Sequence, residues 1–184
     1  MLLVSGSLRS KSTNTAVLRT ACAVAPEGVE SVLYAGLADL PHFNPDADVD
    51  PLPPAAADLR NQIRAADYVV FSTPEYAGAL PGSFKNLLDW TIGDDLPGSI
   101  YEKPVAWINA SPRGAANAHE SLHRVLDYAH AAIVETACAE IPVTTAMIGT
   151  DGRIAEPSVR EQLAAVLRAI VAHGQSRTDD QPST

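Results

Sequence analysis

The feature that most constrains this chain is an apolar run that stops abruptly at a proline. Residues 67–73 read DYVVFST, and residues 74–83 read PEYAGALPGS. A short apolar run bounded by turn residues is the mark of a buried strand. It cannot continue, because Pro74 has no amide hydrogen, Gly78 admits unusual backbone angles, and Pro81-Gly82 interrupts again. Ser83 can then cap a helix in which Phe84, Leu87, Leu88 and Thr91 recur at helical spacing. A long loop therefore sits at the carboxyl end of a central strand, where open α/β sheets bind ligands. It carries Tyr76, a flat aromatic, beside backbone amides freed from the sheet.

The same alternation runs the length of the chain. Residues 2–5 form a buried strand, followed by a loop over 6–14 and a helix to about residue 25. Residues 29–36 form a second strand whose charges place it at an edge. The connection 38–58, rich in proline and aspartate, lies on the surface. A helix over 55–66 turns Leu59 and Ile63 inward, and helix 83–92 follows the opening loop. Strand 104–111, loop 112–117, helix 118–131, a fifth strand within 132–143 and a helix over 157–173 complete the pattern. Strands alternating with helices imply an α/β, doubly wound, five-stranded parallel sheet with helices on both faces. The order 2-1-3-4-5 brings the loops after the first, third and fourth strands to one crevice. These are 6–14, 74–83 and 111–117. The expectation is one domain over 1–173 and a disordered polar tail over 174–184.

Charge narrows the partners. The chain has 184 residues and a formal net charge of −9, which argues against nucleic acid and anionic membrane surfaces. Cys22 and Cys138 are too few for a disulfide framework and have no metal-ligand spacing. The start MLLVSGSLRS has no basic leader, and no apolar run approaches the roughly 20 residues of a membrane span. A soluble cytoplasmic protein is expected.

The first loop, Gly6-Ser7-Leu8-Arg9-Ser10-Lys11-Ser12-Thr13-Asn14, leads into a helix. A helix N-terminus offers unpaired amide hydrogens and partial positive charge to an anion. Ser7, Ser12, Thr13 and Asn14 add neutral donors, and Arg9 adds a charged fork. The loop lacks both the glycine pattern of a dinucleotide turn and the GxxxxGK of a P-loop, so a monophosphate fits better than a pyrophosphate. The same residues also serve a plain helix cap made by Ser12 or Thr13.

The two loops together resemble the NADPH-dependent FMN reductase family of flavodoxin-like proteins, whose relatives include quinone, azo-dye and chromate reductases. The family's first loop reads GSLRxxSxN, and residues 6–14 match it. Its second reads PEYNGxxPGxLKNxLDW, and residues 74–90 match except for Ala77 and Phe84. The resemblance implies FMN, its phosphate held by Ser7, Arg9, Ser12 and Asn14. It implies the ring edge against Pro74, Glu75, Tyr76, Ala77 and Gly78, with Ser111, Arg113 and Gly114 of the third loop nearby. Hydride chemistry would be centred on the flavin, with no catalytic side chain and with Glu75 a solvated or helix-directed carboxylate. NADPH or NADH would be the co-substrate, and a flavin, quinone or azo compound the small-molecule acceptor, in ping-pong order. A homodimer or homotetramer is implied, for which Phe84, Leu88 and Trp90 offer either a contact face or, alternatively, part of the chain's own core. Two departures stand out. Ala77 lacks the amide of the usual Asn, and Arg113 brings positive charge to the third loop.

Two other function classes fit parts of the chain. One is a flavodoxin-like FMN electron carrier without NAD(P)H activity. The other is a zinc hydrolase, since His119-Glu120-Ser121-Leu122-His123 matches HExxH, with two histidines at i and i+4 on one helix face. The bland reading of that helix turns Leu122, Val125 and Leu126 inward and leaves the histidines at its surface.

Overall fold

The computed structural model describes residues 1–179, with side-chain environments through 176. Its strands are β1 (Leu2–Ser5), β2 (Val32–Leu33), β3 (Val69–Ser72), β4 (Pro104–Asn109), β5 (Ala132–Ile133) and β6 (Ala139–Glu140). Its helices are α1 (Thr13–Ala23), α2 (Pro54–Ala65), α3 (Gly82–Ile92), α4 (Ala116–Tyr128) and α5 (Pro157–Asp179). All the strand pairs are parallel, in the order β2-β1-β3-β4-β5, with β6 also on β4. This is the doubly wound, flavodoxin-like arrangement expected from the sequence.

Side chains alternate across the sheet as strand geometry requires. Leu2, Val4, Val69, Phe71 and Val105 face α2, α3 and α4 in one apolar layer. Leu3, Val70, Ala106 and Ile108 face α1 and α5 in the other. Strands buried on both faces read as continuous apolar runs, which is why VVF and LLV are legible in the sequence.

The fifth strand is not continuous. Ala132 and Ile133 pair with Pro104 and Val105, and Ala139 and Glu140 pair with Ile108 and Asn109. From Val105 to Ile108 β4 advances three residues, while its partner advances six, from Ile133 to Ala139. The extra residues form a 3-10 turn at Glu135–Ala137 that buries Ala137. The second strand is also shorter than its 29–36 expectation, with two paired residues. The last helix continues to Asp179, through residues 174–179 of the expected tail; residues 180–184 lie outside the described residues.

Helix α3 corrects another expectation. Phe84, Leu88 and Trp90 are fully buried within this chain, so they form no contact face for a second copy. Trp90 also pins the long 38–58 connection: its Nε1 donates to the Pro41 carbonyl (2.9 Å), and its ring meets Phe43 edge-on. Asn86 binds both the Phe43 amide and the Pro41 carbonyl. Further on, the guanidinium of buried Arg60 lies 2.8 Å from Asp48 and donates from Nε to the Trp90 carbonyl (2.8 Å). Gly93 leaves room for this pair, since a Cβ there would fall 1.9 Å from an Asp48 oxygen.

Breaking one side of a buried ion pair strands the other charge, at a cost of about 3–5 kcal/mol. Arg60→Ala should therefore lower unfolding stability by about 3 kcal/mol in urea titrations. A loss below about 1 kcal/mol, the range of a surface pair, would contradict this role.

Candidate functional site

The carboxyl ends of β1, β3 and β4 carry polar residues that the strand interiors lack. Ser5 and Ser72 are paired across β1 and β3, and Asn109 ends β4. Ser72 is fully buried, and its Oγ lies 2.9 Å from Asn14 Oδ1 and 2.7 Å from the Ile108 carbonyl. One hydroxyl proton cannot serve two acceptors fully. With the Asn14 amide turned so that Nδ2 faces Ser72, the chain Asn14→Ser72→Ile108 is complete. Either way Asn14 faces inward and ties the start of α1 to the ends of β3 and β4.

The first loop rises from this floor. Gly6 donates to the Ser72 carbonyl (2.8 Å), and a Cβ on it would fall 2.4 Å from Thr73 Oγ1 and 2.9 Å from the Phe84 ring. Only glycine fits so close to β3 and α3. Ser12 caps α1, its Oγ accepting from Thr15 N at 3.3 Å. A capping hydroxyl keeps its own proton for a second partner. Ser7 is buried and its Oγ accepts from Arg9 N, Thr13 is half-buried, and the Arg9 and Lys11 side chains are exposed. The α1 amide dipoles, two cations and several hydroxyls thus gather at one end of the sheet.

The second loop holds a two-residue reversal. Tyr76 and Ala79 exchange both backbone hydrogen bonds (3.0 and 3.1 Å), with Ala77 at φ 50° and Gly78 at φ 73° between them. Positive φ at both central positions is a type I′ turn, for which Asn-Gly is the preferred pair. The Asn usual at position 77 thus suits the left-handed backbone itself. Tyr76 stands 45% exposed at the turn's base. Pro74 is half-buried, and Gly78 lies near Asn117, whose Nδ2 would be 3.9 Å from a Cβ on it.

Glu75 reaches across to α4. The N-cap of that helix is Ala115, which is left-handed (φ 47°) and has no capping side chain. Glu75 Oε2 accepts from Ala118 N at 3.1 Å, so the second loop supplies the cap that the third lacks. The helix-directed reading of Glu75 is the one the geometry shows. The third loop is tied internally as well. Asn109 Nδ2 donates to the Gly114 carbonyl, Ser111 N donates to Asn109 Oδ1 (3.0 Å), and Arg113 N donates to Ser111 Oγ (3.2 Å). The Arg113 side chain is exposed.

Ser72, Thr73 and Asn109 organise the site but were not singled out from the sequence. The available signal was a hydroxyl or amide at the end of an otherwise apolar strand. The two HExxH histidines part company. His119 is buried, with Nδ1 2.9 Å from the Ala115 carbonyl, while His123 is exposed, with Nε2 3.2 Å from Glu135. Among the described residues, no three His, Cys, Asp or Glu side chains are arranged to hold a metal.

Alanine in the left-handed region costs roughly 1 kcal/mol more than a residue suited to it. Ala77→Asn should therefore raise stability by about 0.5–1 kcal/mol, read as a higher urea midpoint at unchanged slope. A lower midpoint would contradict the turn assignment.

Comparison with known proteins fits this architecture. The family described as NADPH-dependent FMN reductase matches residues 1–146. An NAD(P)H-dependent FMN reductase of Pseudomonas aeruginosa is 34% identical over 175 residues, 92% of each chain. A probable NADPH:quinone oxidoreductase of Oryza sativa is 30% identical over 178 residues, covering 92% of this chain and 85% of that one. Among solved structures, the flavoenzyme NAD(P)H:(acceptor) oxidoreductase of Paracoccus denitrificans superposes with a TM-score of 0.81 at 28% identity, over 95% of this chain and 96% of the other. With the family matched over most of its length and relatives aligned nearly end to end, this chain belongs to the NADPH-dependent FMN reductase family.

Proposed function

We propose that the chain binds FMN across the three loops and, with it, carries reducing equivalents from NADPH or NADH to a flavin, quinone or azo-type acceptor. The observation that supports this most is the convergence of three unlike loops on one end of the sheet. A phosphate-suited loop stands on one side, and an exposed aromatic beside a tight turn stands on another. A cationic loop closes the group, and Glu75 of the second loop caps the helix that follows it. The donor set suits a phosphomonoester at one end and a planar, hydrogen-bonding ring at the other.

When bound, FMN would supply hydride acceptance from the nicotinamide and delivery to the acceptor, in ping-pong order. The chain's own residues bind and orient. Ser7, Arg9, Ser12, Thr13 and the first amides of α1 would take the phosphate, with Asn14 fixing the loop beneath them. Pro74, Tyr76, Ala77 and Gly78 would border the ring, and their backbone groups would set its orientation. Ser111, Arg113 and Gly114 would border its pyrimidine side, where Arg113 would offset negative charge that develops on reduction. Glu75, already bound to Ala118 N, acts by tying the second loop to the start of α4 and not as a base.

A reductase that meets small acceptors needs no basic or membrane-binding face. Among the described residues no helix is long and apolar enough to cross a membrane. The proposal includes a cytoplasmic homo-oligomer, whose contact face excludes Phe84, Leu88 and Trp90 because the chain's own core covers them. Light scattering should give a dimer or tetramer, and a monomer would remove this part.

Arg9→Ala removes a charge-assisted phosphate contact worth about 1.5–3 kcal/mol. FMN titration by fluorescence quenching should show affinity weakened roughly 10- to 100-fold. Unchanged affinity would overturn the assignment of the first loop to the phosphate.

A further inference from the structure

The proposed function leaves the HExxH stretch of α4 unused, yet His119 sits at a place that matters to the site. It is 8% exposed. Its ring makes one hydrogen bond, Nδ1 to the Ala115 carbonyl at 2.9 Å, and its Nε2 is buried with no partner among the described residues. A carbonyl only accepts, so Nδ1 carries the proton and Nε2 the lone pair. Burial pushes the ring's pKa below its usual value, against the opposing pull of the Ala115 carbonyl, Glu140 and Glu75. The neutral Nδ1–H tautomer follows.

A half-satisfied buried imidazole is a poor choice for packing alone. Leucine would fill similar space without burying an unpartnered nitrogen. The ring's single bond is therefore the reason to look for its role. Its acceptor is Ala115, a non-glycine residue at φ 47°, directly after Gly114 at φ 90°. Such a pair persists only where the surroundings hold it. Gly114 N donates to the Ser111 carbonyl (3.3 Å), Asn109 binds the Gly114 carbonyl, and the backbone N and ring Nδ1 of His119 both bind the Ala115 carbonyl. One residue before His119, Ala118 N donates to Glu75 Oε2.

We infer that His119 is a positioning residue for the third loop: its Nδ1–H clamps the Ala115 carbonyl, which fixes the left-handed Gly114–Ala115 pair and so the placement of Ser111–Gly114. That the placed loop faces FMN rests on the function proposed above. The i, i+4 histidine pattern is thus a coincidence of spacing. His119 serves the loop before the helix, and His123 packs edge-on against Trp107 and meets Glu135 at the surface.

Two variants separate the hydrogen bond from packing. Asparagine can present its amide N–H close to where Nδ1–H lies, and leucine cannot donate. The full chain, with excess FMN present, is treated with trypsin, and the cut at the exposed Arg113–Gly114 bond is followed by mass. The bond after the exposed Arg153, outside the three loops, is the internal reference. FMN affinity is measured in parallel. His119→Asn should cleave at Arg113 within about twofold of the native chain. His119→Leu should cleave at least tenfold faster, at an unchanged reference rate, and bind FMN at least tenfold more weakly. If the leucine chain does not fold, His119→Gln takes its place, its amide carried one methylene too far to donate in the same way. Native cleavage in the leucine or glutamine chain would overturn the inference, as would an asparagine chain as labile as the leucine one. Faster cleavage with unchanged FMN affinity would uphold the positioning role and count against FMN at this loop.

Discussion

The site depends on one buried hydroxyl. Ser72 ends β3, the central strand, and joins Asn14 at the start of α1 to the Ile108 carbonyl near the end of β4. Backbone pairing alone aligns the strands but does not fix where the chain leaves each one. The Ser72 contacts do that at the layer where three loops depart. A buried polar chain of this kind is costly when incomplete and rigid when complete. Gly6 and Phe84 complete the fit from either side, since any Cβ at position 6 would strike Thr73 or Phe84. The loops can then be irregular because their roots are not.

Above that layer, the loops hold one another. Glu75 leaves the second loop to cap α4, and Asn109 binds the third loop from the end of β4. The carboxylate that looks like a general base is thereby a strut. Its partner is a helix end without a cap of its own, because Ala115 brings no side chain to it. Such coupling suits chemistry carried by a cofactor, where the protein's task is to hold a ring in one place within a fixed field. It also means that changes in one loop should be felt in the next.

Much of this was legible in the sequence, for physical reasons that differ by element. The strands were clear because burial on both faces writes an unbroken apolar run, as in VVF before Ser72. The first and second loops were clear because glycine, proline and hydroxyl residues break such runs in characteristic ways. What stayed hidden was long-range. Nothing near Glu75 marks Ala118, 43 residues away, as its partner. The turn at Glu135–Ala137 that interrupts the fifth strand carries no glycine or proline, so no local breaker separated it from the strand. Trp90 read as a contact for another subunit because an exposed and a core tryptophan look alike in sequence. Here the 38–58 connection folds over and covers it. The HExxH spacing was real, but spacing sets a shared helix face only to within a residue's burial, and α4 turns one histidine in and the other out.

The most direct measurement is the visible absorption spectrum of the purified full chain with FMN, before and after NADPH is added without oxygen. A bound-flavin spectrum that bleaches on addition of NADPH, and recovers when a quinone is supplied, is the result expected of an FMN-dependent reductase built on these loops. Flavin that binds but is not bleached would leave an FMN carrier. No bound flavin even at excess FMN would contradict the assignment of the three loops to a flavin site.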